Sequence, residues 1–294
     1  MPATFDHSDF PLEALLEAKR EPISVVLPAR ECAASIEANV AMLLGLGGLY
    51  DQVLVLDAGS QDGTAELALA AGAEVVQEAT LRPDFGPVLG KGDAMWRSLE
   101  AVRGEIVCFL DADSVDLSPE YATGLIGPLL MGSGVQFVKG AFERPFTAGD
   151  AVVPGGGGRV NELMARPLLS AFYPELAEFR QPLAGEMAAR RELFEQLPFG
   201  TGYAAEIGML IDVYNRAGIE AMAQVRVGER RQPHQPLIDL GPMAYVILRV
   251  VLERLRSEGR GPDAPPQPFH RADGRLVDVE PVERPPIASL SAAT

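Results

Sequence analysis

Two aspartates one residue apart, Asp111-Ala112-Asp113, end the apolar run at 105–110. Carboxylates so spaced at the end of a buried strand can reach one hard cation. Mg2+ held that way bridges nucleotide phosphates and stabilises charge on a leaving diphosphate. An ordinary turn after a strand would use the same residues, so the pair alone does not decide. Asp57-Ala58-Gly59 stops a second apolar run, 52–56. A side chain there can meet a base or ribose edge, with Gly59 permitting close approach. A plain βα turn with Asp62 as N-cap fits equally. Gly90-Lys91-Gly92 opens a helical stretch, where a lysine suits phosphate or simply starts the helix. It is not a P-loop, because three residues rather than four separate Gly86 from Gly90 and Gly92 stands in place of Ser or Thr.

A second anion site is expected further on. Gly155-Gly156-Gly157-Gly158-Arg159 precedes a helical stretch from about Val160. Backbone N–H groups, the helix dipole and a bidentate guanidinium converge there. Asn161 lies in the first turn. A flexible linker is the competing reading. Glu206 sits beside Ile207, Leu210 and Ile211 on another helical stretch and is either a site carboxylate or an ordinary half-exposed one.

Positioning these residues requires strands that stop together. The runs 23–28, 52–56, 74–77 and 105–110 read as strands, and 36–44, 62–71 and 91–103 have helical periodicity. Such alternation predicts a parallel α/β sheet with ligands at the carboxyl ends of its strands. The second half alternates less regularly. It reads as helix 118–130, strand 134–142, loop 147–158, helix 160–172, helix 202–217, a strand near 221–227 and a final helix 237–255. Residues 1–22 look like an acidic arm. Residues 259–294, with Pro262, Pro265, Pro266, Pro268, Pro285 and Pro286, look like a mobile tail.

Composition narrows the function classes. The 294 residues carry 25 Lys and Arg against 41 Asp and Glu, a net charge of −16. That disfavours nucleic acid as a partner, so an anionic ligand must meet a local cationic cluster. Lys19, Lys91 and Lys139 are the only lysines, and His7, His234 and His270 the only histidines. A multi-histidine zinc site is thereby excluded. Cys32 and Cys108 form no disulfide framework. No apolar stretch is long enough to span a bilayer, and the first twenty residues lack a signal-peptide core. A cytoplasmic protein without a membrane partner is expected.

Taken in order, four segments resemble the GT-A nucleotide-sugar glycosyltransferases. They are Val26-Leu27-Pro28-Ala29, Val55-Leu56-Asp57-Ala58-Gly59-Ser60-Gln61-Asp62-Gly63-Thr64, Gly90-Lys91-Gly92-Asp93-Ala94-Met95-Trp96 and Phe109-Leu110-Asp111-Ala112-Asp113. The continuation Gly157-Gly158-Arg159-Val160-Asn161-Glu162, Gln181-Pro182-Leu183-Ala184-Gly185-Glu186 and Gly202-Tyr203-Ala204-Ala205-Glu206 is similar to glucosyl-3-phosphoglycerate synthases. The related mannosyl-3-phosphoglycerate synthases share this pattern.

The resemblance implies an α/β fold of GT-A type: a Rossmann-like nucleotide-sugar-binding half, 23–113, with an appended acceptor-binding half and C-terminal helix, 114–258. It implies transfer of glucose from a nucleoside diphosphate glucose to the 2-hydroxyl of 3-phosphoglycerate, with retention. UDP-glucose, GDP-glucose and, for the mannosyl alternative, GDP-mannose are the implied donors. Asp113 would bind Mg2+ or Mn2+ with Asp111 alongside. Pro28, Ala29, Asp57, Ala58 and Lys91 would line the nucleotide. Gly158, Arg159 and Asn161 would hold the phosphoglycerate. Leu183, Ala184 and Gly185 would lie under the donor sugar, and Glu206 would bond its hydroxyls. The family's metal-binding histidine falls in register on Gln232, and His234 would either take that place or touch the acceptor. A homodimer and an osmolyte or polysaccharide-precursor role are implied too.

Other classes fit less well. A nucleotidyltransferase normally needs a Gly-rich, Arg-containing loop after its first strand, and Pro28-Ala29-Arg30-Glu31 is not one. No GxGxxG follows a strand, which disfavours a Rossmann dehydrogenase. A nucleotide-sugar binder without turnover remains a second class, separable by product formation.

Overall fold

The structure, a computed structural model, describes residues 1–115, 117–132, 134–148, 151–153, 157–230, 235–262, 267–271, 275–279 and 281–290. The first half alternates as expected. Strand β1 (Ala3–Asp6) and helix α1 (Leu12–Ala18) lead into β2 (Ile23–Ala29), α2 (Ile36–Leu44), β3 (Gln52–Asp57), α3 (Thr64–Ala70), β4 (Glu74–Gln77), α4 (Lys91–Ser98) and β5 (Ile106–Phe109). There follow α5 (Pro119–Met131), β6 (Phe137–Glu143), the hairpin strands β7 (Phe146–Ala148) and β8 (Ala151–Val153), α6 (Arg166–Phe172), β9 (Met187–Arg190), α7 (Arg191–Glu195), β10 (Phe199–Gly200), α8 (Ala205–Ala217), β11 (Met222–Glu229) and α9 (Leu237–Ser257).

One sheet of eight strands runs β1-β11-β6-β9-β5-β2-β3-β4. Its pairs are parallel except at β9, which lies antiparallel between β5 and β6. The strands are apolar on both faces because helices cover both. Along β2 and β3 the side chains alternate between the layers. Val26, Leu54 and Leu56 face α4, α8 and α9, while Val25, Leu27, Val53 and Val55 face α2, α3 and α5.

Three sequence expectations change. The segment 1–22 is no free arm: β1 pairs in parallel with β11 and forms one edge of the sheet. Four residues reading Ala-Thr-Phe-Asp carry too short a pattern to announce a strand. Strand β9 was not anticipated either, because Met-Ala-Ala-Arg has no β signature and gains its state from neighbours on both sides. The C-terminal segment 281–290, expected to be mobile, is docked. Strand β14 (Glu283–Arg284) pairs antiparallel with β10, and helix α10 (Ile287–Leu290) packs Ile287 into the core. A two-stranded ribbon between them in sequence, β12 (Phe269–His270) with β13 (Leu276–Val277), precedes it.

Helix α4 deserves its central place on physical grounds. Its residues from Gly92 to Ser98 are all buried. A Cβ at position 92 would collide with the carbonyl of Gly200, so only glycine lets α4 approach β10. Arg97 is fully buried. Its guanidinium donates to the carbonyls of Leu81 (2.6 Å), Arg82 (2.9 Å) and Gly86 (2.8 Å), which ties down the loop before the helix.

Candidate active site

Strands β2, β3 and β5 run in parallel and end on one edge of the sheet. Asp57 closes β3, and Asp111 follows β5 after Leu110. The Asp111–Asp113 turn is held from behind by α2. Ser35 Oγ donates to the Ala112 carbonyl at 2.7 Å, and Asn39 Nδ2 donates to the carbonyls of Ala112 (3.0 Å) and Ser114 (2.9 Å). Both side chains are buried, so their bonds to the turn replace lost water contacts.

A cavity of about 430 Å³ opens at this edge. Ten residues singled out from the sequence line it: Lys91, Asp111, Asp113, Gly158, Arg159, Asn161, Leu183, Ala184, Gly185 and Glu206. They come from α4, the turn after β5, the segment before α6, the loop before β9 and the first turn of α8. Leu240, Met243 and Ile247 of α9 add an apolar wall.

At one end stands a charged cluster. Asp111 ion-pairs with Lys91 through Oδ1 and with Arg230 through Oδ2 at 2.9 Å. Burial pushes the Asp111 carboxyl up, but Lys91 and Arg230 outweigh it and hold the group below the usual carboxylate range. Burial likewise pulls the Lys91 ammonium down, and Asp111 and Glu206 reverse that, leaving it raised. Arg230 also ion-pairs with buried Glu186, donates to Ser114 Oγ at 2.8 Å, and lies 5.7 Å from the centroid of the Phe142 ring. Asp113 is different: its side chain is 70% exposed and stands 3.7 Å from Arg230.

Residues 183–185 form the floor. The Asn161 side chain bridges to them, donating to Gln181 Oε1 at 2.6 Å and accepting from Leu183 N at 3.3 Å. One donor and one acceptor position of its amide are thus engaged by the loop, and the residue lines the cavity. Gly185 presses against Lys91 and Asp111, and a Cβ there would collide with the Lys91 ammonium. Also in the lining, Gly158 has φ 70, and Arg159 donates to the Gln235 carbonyl at 2.5 Å. The helix expected from Val160 begins as a π-turn, Asn161–Ala165, before α6.

The remaining predicted residues lie apart. Pro28, Ala29, Asp57 and Ala58 sit at the ends of β2 and β3, next to this cavity's edge of the sheet but not among its lining. The Ala58 N–H donates to the Ala29 carbonyl at 2.9 Å. Asp57 is buried. Its Oδ2 accepts from the N–H groups of Gly59 (3.1 Å) and Ser60 (3.2 Å) and from Gln77 Nε2 (2.9 Å), while Oδ1 is buried without a hydrogen-bond partner among the described residues. Gln232 and His234 lie outside the described residues, as do Gly155 and Gly156.

Several lining residues escaped the sequence reading: Phe142, Arg144, Glu186, Tyr203 and Arg230. Arg230 stands two positions before Gln232, so the attention given to that register could have found it. Glu186 follows Gly185 directly and closes the segment Gln181–Glu186 that carries the resemblance. Among the described residues no three His, Cys, Asp or Glu side chains cluster as a metal cage. No described helix is long and apolar enough to cross a membrane.

Residues 24–130 match the model for glycosyl transferase family 2. The chain is 42% identical over 274 residues to the glucosyl-3-phosphoglycerate synthase of Mycolicibacterium smegmatis, covering 91% of this chain and 89% of that one. It is 39% identical to the same enzyme of Petrotoga mobilis, covering 87% and 82%. Mannosyl-3-phosphoglycerate synthase from Rubrobacter xylanophilus has a similar crystal structure, with TM-score 0.87, 44% identity and coverage of 98% and 97%. Glucosyl-3-phosphoglycerate synthase from Mycobacterium tuberculosis, solved with Mn2+, UDP-glucose and phosphoglyceric acid, gives TM-score 0.84 at 40% identity over 98% and 99%. With this fold, this cavity and these relatives, the chain belongs to the glucosyl-3-phosphoglycerate synthases, glycosyltransferases of GT-A fold.

Proposed function

We propose that this glycosyltransferase moves glucose from UDP-glucose to the 2-hydroxyl of 3-phosphoglycerate, with retention at the anomeric carbon. The observation that carries the reading is that one cavity is lined by Lys91, Asp111 and Asp113 and also by Gly158 and Arg159. The first set suits a diphosphate and the second a phosphorylated acid, with residues 183–185 and Glu206 in the same lining for the sugar. The Mycobacterium tuberculosis relative carries Mn2+, UDP-glucose and phosphoglyceric acid together, which supports the same assignment.

The residues present fit a divalent cation. Asp113 is a largely exposed carboxylate within the cavity, and Asp111 stands beside it. Mg2+ and Mn2+ accept such oxygen donors, and Mg2+ commonly takes one or two carboxylates with substrate phosphates and waters. When bound, the ion neutralises charge on the departing diphosphate. Lys91 adds a second positive charge there. Arg230 holds both aspartates in place before substrate arrives, so no reorganisation is needed during reaction. Glu206 orients the sugar hydroxyls, and Arg159 pairs with the acceptor's anionic groups. Asp57 Oδ1 is an unmet acceptor for a base N–H. Catalysis then rests on positioning and on leaving-group stabilisation.

A mannosyl donor is the second reading, favoured by the likeness to the Rubrobacter xylanophilus enzyme. A homodimer, a cytoplasmic setting and a role in osmolyte synthesis rest on the family resemblance. The test is a donor panel of UDP-glucose, GDP-glucose and GDP-mannose, each with 3-phosphoglycerate and Mg2+. Product with UDP-glucose well above the others is expected. A preference for GDP-mannose overturns the glucosyl reading, and binding without product under every donor overturns transfer itself.

A further inference from the structure

Lys139 is a charged residue that the reaction as described does not use. It lies in β6, opposite Met187 of β9, and is 1% exposed. It is absent from the cavity lining. Its Nζ donates to the carbonyl of Ala184 at 2.7 Å, from behind the floor loop. A buried lysine is costly, and an apolar residue at this strand position would pack without that cost. The neighbours Phe137 and Met187 are apolar core residues.

The loop it grips is buried at Ala184 and packs Leu183 against the core, and it has two further hydrogen bonds of its own. The Ala184 N–H donates to the Gln181 carbonyl at 3.0 Å, and the Leu183 N–H donates to Asn161 at 3.3 Å. On its open side Gly185 touches the Lys91 ammonium and Asp111. The Ala184 carbonyl is therefore the inward anchor of the turn. Glu206 of α8, Lys91 of α4 and Asp111 after β5 all act electrostatically on the Lys139 ammonium, whose hydrogen bond to Ala184 ties it to the loop assigned to the donor sugar. Burial nevertheless pushes the ammonium down to about 7, opposed most by Glu206.

We infer that Lys139 is a positioning residue for the donor sugar: through the Ala184 carbonyl it sets the height and tilt of residues 183–185, and it does not contribute to nucleotide binding. This rests on the reading of residues 183–185 as the donor-sugar floor. The consequence is a division within one ligand. Loss of Lys139 should impair use of UDP-glucose while leaving the affinity for UDP intact, whereas a change at Lys91 would affect both.

The test uses K139M and K139Q in the full chain, with UDP-glucose, 3-phosphoglycerate and UDP as probes. In K139M, kcat/KM for UDP-glucose should fall about two- to tenfold, the effect of removing one hydrogen bond. Inhibition by UDP should stay within about twofold. K139Q keeps a neutral donor and should recover part of the loss. Equal losses for UDP-glucose and UDP, or wild-type constants in K139M, overturn the proposal. A second measurement needs no variant that might fail to fold. With only three lysines, the wild-type chain labelled at lysine Nζ should give few and resolvable signals. The Lys139 signal should move further with UDP-glucose than with UDP alone, and equal shifts with the two overturn the proposal. If the wild-type enzyme transfers no sugar from UDP-glucose, the donor reading itself has failed, and that is seen before any variant is made.

Discussion

Arg284, ten residues from the chain end, clasps Asp93 in the first turn of α4. Its Nε donates to Oδ1 at 2.8 Å and its Nη2 to Oδ2 at 2.6 Å. Asp93 has no exposed surface and carries a second guanidinium, that of Arg97, at 3.2 Å. Its Oδ2 also accepts from the Leu89 N–H at 2.9 Å. Trp96 donates from Nε1 to the Pro285 carbonyl at 2.8 Å, and the Thr201 N–H donates to the Val282 carbonyl at 2.9 Å. The end of the chain thereby locks the start of α4, where Lys91 stands, to β10 and the segment carrying Tyr203 and Glu206.

Asp93→Asn should accordingly be strongly destabilising. It leaves two buried guanidiniums facing a neutral amide, and breaking a buried pair this way costs about 3–5 kcal/mol. Arg284→Met leaves Asp93 paired with Arg97 and should cost less, about 1.5–3 kcal/mol. Urea unfolding measures both. Equal and small losses would show that the clasp is unimportant.

Asp113→Asn should remove most metal-dependent transfer while the urea midpoint is unchanged, because the side chain is largely exposed and supports no packing. Titrating Mg2+ against activity checks this. Full activity in the variant, or wild-type activity insensitive to EDTA, would remove Asp113 from the metal role.

For the acceptor, Arg159→Ala should raise the KM for 3-phosphoglycerate about ten- to a hundredfold with the donor KM nearly unchanged. Initial rates over a grid of both substrates separate the two constants. A matching rise for UDP-glucose would contradict the assignment of Arg159 to the acceptor.

The buried Lys139 makes stability depend on pH. Its ammonium titrates near about 7 in the folded chain, against about 10.4 when unfolded. Between those values the unfolded chain holds a proton that the folded chain lacks, so this group's contribution rises with pH across the window. It is fully present above about pH 10 and lost as pH falls to about 7. The Tm of K139M minus that of the wild type should therefore be most positive at and below pH 7 and shrink toward pH 10. Parallel curves would show that folding does not depress the Lys139 pKa.

Gly185→Ala should weaken donor binding, since the added Cβ displaces the Lys91 ammonium and lies 2.9 Å from Asp111 Oδ1. Isothermal titration with UDP-glucose checks it. Affinity equal to wild type would mean that Lys91 swings away at no cost.

Much of the donor end was legible in the amino-acid order. Apolar β-branched runs that stop at Asp57 and Asp111 announce parallel strands and place both carboxylates on one edge, because burial on both faces and βα alternation are local, periodic signals. Glycines before Lys91 and Arg159 marked helix starts for the same reason. Glu206 was ambiguous, since a helix carboxylate reads alike whether it faces a cavity or bulk water. Arg230, Glu186, Lys139 and the clasp of Arg284 on Asp93 were out of reach: each takes its meaning from a partner between 44 and 191 residues away. Pairing of that kind depends on which strands become neighbours. Strand β9 enters antiparallel between β5 and β6 and carries the residues before it, 183–186, under the aspartates. The residue types set what the strand ends could bind. The close-packed sheet order decided which distant side chains hold them ready, because a buried charge is tolerable only where the fold has already placed its counterpart.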